Sequence, residues 1–244
     1  MNAFGQLVLT FTRRTLREPA AVFFMLAFAP FYALVMGFIF GNDPSPEFGG
    51  VGYMDANLVN FSAIVVAIAG LALVPIDLVG LRESGALRRF RATPLRPLLF
   101  VAADLLVRWV IALVGIGLML AIGIFGFGAQ PTGNLLTVLL IAALGTLVFL
   151  SLGYALSALV PSLGVGQLIG NVLVYPLIIL SGATVPLALL PESVQTVAHL
   201  SPLTQLVSGL QGAWAGAPKL LPIAVLLGVL VLATLVAASR FRWE

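Results

Sequence analysis

Apolar residues in this chain gather into long runs, and polar residues are confined to short breaks between them. Six runs reach the range of about 17–25 residues that a helix uses to cross a hydrocarbon core. They lie near residues 20–41, 56–80, 98–128, 134–160, 165–181 and 220–239. The pattern before the first run is different. Phe4, Leu7, Val8 and Phe11 recur at helical spacing, while Asn2, Gln6, Thr10, Arg13, Arg14 and Arg17 fall mostly on the other side. That predicts an amphipathic helix over residues 1–18 lying in the membrane interface. A signal peptide is not expected, because the following run is too long and no small-residue cleavage site separates it. Pro19 suits the first turn of the next helix, and Pro30 is expected to kink the first span.

The breaks are short. Residues 42–52 form a polar turn region with Asp43 and Glu47, and 129–133 (AQPTG) and 161–164 (PSLG) read as tight turns. One segment fits neither class. Residues 183–218 are moderately apolar but interrupted by Pro186, Pro191 and Pro202. They are too broken to span and too apolar for an ordinary loop, so one or two short helices dipping into the outer leaflet are expected. Such backbone is tolerated only where protein or a water-filled cavity covers it.

Composition agrees with the pattern. The chain is 61% hydrophobic and 9% charged, with a mean hydropathy of +1.14, whereas soluble domains carry about 25% charged residues. Its 244 residues are nearly all used by spans and connections, so a single membrane domain over 1–244 is expected. With no cysteine there is no disulfide, thiolate site or cysteine nucleophile. The net charge of +3 reports orientation rather than affinity for nucleic acid.

Charge is concentrated at residues 81–97 (LRESGALRRFRATPLRP), between the second and third runs. Arg82, Arg88, Arg89, Arg91 and Arg96 lie there, with Glu83 first, an apolar pair Leu87 and Phe90, and a Thr93-Pro94 stop. This reads as a short surface helix shaped to touch something. If the N-terminus is cytoplasmic, alternation places every base except Lys219 on the cytoplasmic side, with both termini inside.

Most site chemistry is missing. No G-x-x-x-x-G-K-[ST] loop is present, so the chain has no nucleotide site of its own. His199 is the only histidine, which rules out a histidine metal cage, and no metal site is expected. A pairing of His199 with Ser181 or Ser201 would suit an intramembrane protease, but no nucleophile motif stands beside it. Asp104 and Arg108, at i and i+4 with the acid first, read as an interfacial ion pair. Asp77 lies within reach of Arg82 or a neighbouring helix, and the remaining spans carry no acid, which disfavours ion-coupled transport. Gly166 and Gly170 permit close helix approach, either within the chain or to another subunit, with Asn171 beside them.

Two stretches resemble the permeases of ABC-2 type transporters, in particular the daunorubicin-resistance-type exporters. One is LRESGALRRFRATPL (81–95); the other is SGATVPLALLPESVQTVAHLSPLTQLVSGLQGAWAG (181–216). The resemblance implies an all-α integral membrane protein with six transmembrane helices. It adds an N-terminal amphipathic interfacial helix, a cytoplasmic coupling helix at 81–97 and an outer-leaflet re-entrant helical segment at 183–218. Arg82, Glu83, Gly85, Leu87, Arg88, Arg89, Phe90, Arg91, Thr93 and Pro94 would dock on a separate ATP-binding subunit. Arg13, Arg14 and Arg17 would form a second contact with it. Spans two and five would line the path, with Phe61, Asn171 and Tyr175 as candidates. Pro186, Pro191, His199 and Pro202 would belong to an outer gate.

By the same resemblance the chain is not itself an enzyme: ATP and Mg would sit on the partner, and no cofactor is expected here. The assembly would hold two ATP-binding subunits and a second permease, identical or paralogous, in the plasma membrane with lipid around it. It would export an amphipathic or hydrophobic small molecule such as a drug, an antibiotic or a lipid-like compound. A polysaccharide- or haem-type permease of the same superfamily is the near alternative, and an ion-coupled secondary transporter a more distant one.

Overall fold

The computed structural model describes residues 3–87 and 97–240. These residues form an all-α protein with six helices long and apolar enough to cross a membrane. The spans are Phe23–Phe40, Tyr53–Glu83, Leu98–Gly126, Leu135–Leu159, Leu163–Leu180 and Leu220–Ser239, here numbered one to six. Span two is the axis. Of its apolar window 67% is buried, against 22% for spans one and five and 17% for span six.

Span two can sit at the centre because its neighbours approach its backbone directly. A Cβ on Gly153 of span four would fall 2.0 Å from the Gly70 carbonyl oxygen. One on Gly70 would fall 2.3 Å from the Phe149 carbonyl oxygen, and one on Gly170 of span five 2.8 Å from that of Leu71. Three glycines thus bring spans two, four and five into backbone contact, the way small residues bind helices where lipid offers no hydrophobic drive. The close-packing signal at Gly166 and Gly170 is therefore satisfied within the chain, at least at Gly170. At this same level span two widens into a π-helical stretch, Ile68–Leu73. Pro75 follows, and its ring cannot fit beneath the carbonyl four residues back unless that turn opens. Span one behaves alike: the π stretch Phe23–Ala27 precedes Pro30. The expected proline distortion is absorbed as a wide turn ahead of each proline.

The N-terminal helix, Ala3–Arg17, is amphipathic as expected, but its stripe faces protein. Leu7 and Phe11 are buried in one apolar cluster with Phe100, Ala103 and Leu87, and the Phe11 and Phe100 rings meet edge-on at 5.0 Å. The helix lies along the start of span three, with Arg13 and Arg17 left exposed.

The proline-broken segment folds into a 3-10 turn, Leu187–Leu189, and two helices, Glu192–Ala198 and Pro202–Trp214. Span five turns into it at Ser181 and Gly182. Ser181 is fully buried; its hydroxyl donates to the Ile178 carbonyl (2.8 Å) and accepts from the Ala183 N–H (3.2 Å). Gly182 has φ +81°, a left-handed conformation that favours glycine. The second helix starts at a sequence-legible cap, with Ser201 accepting from the Leu203 N–H (3.2 Å) and Pro202 at its first position. Ten of its thirteen residues are buried, because it wedges among spans two, four and six. The turn at 129–133 pins its far end: Gly133 N–H and the Thr132 hydroxyl both donate to the Trp214 carbonyl, at 2.8 and 3.2 Å.

Candidate functional site

Two sets of polar side chains stand out, one toward each end of span two. At the end holding the last turn of span two, Asp77 accepts from Arg14 of the N-terminal helix and from Arg108 of span three. Arg108 Nε also donates to Asp104 Oδ2 at 2.8 Å, and the Tyr154 hydroxyl of span four donates to the same oxygen. Asp104 is 2% and Arg108 3% exposed. The pair expected at the interface is instead a buried network tying four helices together. Each carboxylate faces a guanidinium, which offsets the cost of burying the charges. Asp77 does not reach Arg82.

Arg82 turns to span four instead, donating to the carbonyls of Ser157 and Val160. Glu83 accepts from the Leu163 N–H at 2.8 Å. The last turn of span two therefore places a cation on the final carbonyls of one helix and a carboxylate on the first N–H of the next. Both match the ends of the helix dipoles. The family resemblance implies partner docking for both residues, and the sequence also puts Arg82 within reach of Asp77; neither reading includes these helix ends. Glu83 also ends the span-two helix rather than opening a new one. Ser84 and Gly85 stop it, Gly85 at φ +70°.

Leu87 lies 2% exposed in the cluster with Leu7 and Phe11. It is thus held inside this chain and not offered to a partner, a correction to the expectation that it inserts elsewhere. Arg88, Arg89, Phe90, Arg91, Thr93 and Pro94 lie outside the described residues. Of the N-terminal arginines, Arg14 is drawn into the Asp77 network, and Arg13 and Arg17 stay free on the surface.

Toward the opposite end a cavity of about 620 Å³ opens between spans one and two and the proline-broken segment. Its size fits a drug-sized molecule or a lipid head with part of its chain. The aromatic side is formed by Tyr32, Tyr53 and Phe61, with the Tyr32 and Phe61 rings edge-on at 4.8 Å. The polar side carries amides in a ladder. Gln211 Nε2 donates to Asn60 Oδ1 (3.0 Å), Asn60 Nδ2 to Asn57 Oδ1 (3.5 Å), and Asn57 Nδ2 to the Tyr53 carbonyl (3.1 Å).

Among the residues expected at a path or gate, Phe61, Pro186 and His199 line this cavity. Pro191 and Pro202 instead begin the two short helices. Asn171 and Tyr175 lie on the outward face of span five, away from the cavity, Tyr175 being 62% exposed. The amides Asn57, Asn60 and Gln211, together with Lys219, went unnoticed as site residues. Asn57 and Asn60 one turn apart in an apolar run were the available signal. Among the described residues no group of three or more metal-ligating side chains comes together.

A search of curated proteins returns no match to this chain. Residues 2–214 match the ABC-2 type transporter family, a stretch that takes in the N-terminal helix, spans one to five and the re-entrant helices and stops short of span six. The chain belongs to the ABC-2 type transporter family and is the permease component of an ABC transporter, a part that works with an ABC ATP-binding subunit.

Proposed function

We propose that this chain is the membrane half of an exporter for an amphipathic or hydrophobic small molecule, of the daunorubicin-resistance type. Two copies, or one copy and a paralogue, assemble with two ATP-binding subunits in the plasma membrane, with both termini cytoplasmic. Segment 81–97 and the exposed Arg13 and Arg17 meet those subunits, and ATP and Mg stay on the partner side.

The observation that carries this reading is span two. It runs as one helix from Phe61 in the cavity wall to Glu83, where segment 81–97 begins. On the way it is gripped at Asp77 and Arg82 by the N-terminal helix, span three and the end of span four. A push on 81–97 therefore reaches the cavity as motion of a rigid rod, and two nucleotide-biased positions of that rod give alternating access. The second copy is supported by span five. Asn171, at the middle of the span, is exposed among Leu168, Val172 and Tyr175. An amide left unpaired in hydrocarbon is costly, and a partner's amide relieves it.

The test is co-purification of the ATP-binding subunit with wild-type protein and with Arg88, Arg89 and Arg91 all changed to Glu. Loss of the partner and of ATP-driven export, with the permease still in the membrane, is the expected result. Undiminished export in the triple variant refutes the docking role.

A further inference from the structure

The cavity chemistry points to the charge of what it holds. Lys219 lines the cavity, and among the described residues no aspartate or glutamate does. Among the described residues Lys219 makes no ion pair, since the salt bridges there all belong to Arg14 and Arg108. Its position is electrostatically odd. It stands immediately before the helix Leu220–Arg240, where the positive end of the dipole disfavours a cation. Two positive sources add there instead of cancelling.

The amide ladder supplies donors that an anionic head can use. It engages the side-chain oxygens of Asn60 and Asn57 as acceptors and uses one N–H of each amide. Each primary amide has two N–H donors, so a second N–H remains on Asn57, Asn60 and Gln211. These spare N–H groups stand beside an ammonium that no carboxylate among the described residues pairs. Asp55, an acid at this end of span two, is already held by Asn42 and the Gln130 N–H.

Resting on the exporter reading above, we propose that the cavity binds an amphiphile with an anionic head. The head is a phosphate, sulfate or carboxylate with Lys219 as counter-charge and the three amides as donors. Tyr32 and Phe61 cover the first part of its apolar body. A cationic amphiphile would find aromatic faces here but, among the described residues, no carboxylate, and Lys219 repels it.

The test uses the full-length permease in nanodiscs of phosphatidylcholine, without nucleotide, titrated with dodecyl phosphate and with dodecyltrimethylammonium. Dodecyl phosphate is expected to bind more tightly. Lys219→Gln should weaken it roughly tenfold, as loss of a charge-assisted hydrogen bond does; Lys219→Arg should preserve it, and Lys219→Glu should reverse the preference between the two probes. Equal binding of both probes to wild-type protein, or no change in Lys219→Gln, overturns the proposal. Adding phosphatidylglycerol to the nanodisc separates two sources of the same head group: competition assigns the site to a membrane lipid, and its absence to a soluble organic anion. Because no ATP is used, a failure here leaves the exporter reading standing, and a failure of ATP-driven export leaves this binding result intact.

Discussion

The two ends of span two treat polar groups in opposite ways. At the Asp77 end every buried charge has a partner: Arg14, Asp77, Arg108, Asp104 and Tyr154 form one connected set, and Arg82 and Glu83 close on neighbouring helix ends. At the cavity end the amides keep spare donors and Lys219 has no ion-pair partner among the described residues. A network satisfied internally holds helices in one arrangement, and polar groups left open toward a cavity await a ligand. The contrast assigns transmission to one end and recognition to the other.

The comparison is broken most severely at Arg108. Arg108→Leu removes the partner of two carboxylates, and breaking a buried pair costs about 3–5 kcal/mol. Thermal unfolding of the detergent-solubilised protein should show a large drop in Tm, partly recovered in the Arg108→Leu, Asp104→Asn double variant. Lys219→Gln, as an exposed change at the other end, should stay within about 0.5 kcal/mol of wild type. If the two single variants destabilise equally, the division of labour is wrong.

A smaller effect is expected at the glycine contact. Gly153→Val forces spans two and four apart, and overpacking costs about 1–3 kcal/mol. Gly164→Val, whose Cβ would meet nothing within 4 Å, is the control and should leave Tm nearly unchanged. The smallest effect is at the helix behind the cavity: Ser201→Ala deletes a cap worth about 1 kcal/mol. It should lower Tm slightly and raise hydrogen exchange in Pro202–Trp214 more than in span four.

Much of this was legible beforehand. Long apolar runs, Pro19 and the proline-broken stretch pointed to six spans and to one or two short helices before the last, of which two form, since each depends on local chemistry. The N-terminal helix was legible as amphipathic, but the surface it covers was not. An apolar stripe suits lipid and span three equally, and only contact with Phe100 and Leu87 decided between them. The helix-end contacts of Arg82 and Glu83 were hidden for a related reason: nothing in the sequence shows which neighbouring helix end lies beside a charge near the membrane edge.

Sequence alone determined the class of this protein, an all-helical membrane protein, because hydrocarbon permits so few backbone solutions. Tertiary structure decided which residues act together. Asp77 and Arg108 are 31 positions apart, and Asn60 and Gln211 are 151 apart. No periodicity records such a pairing, because it depends on where helices cross once the glycines of spans two, four and five let their backbones meet.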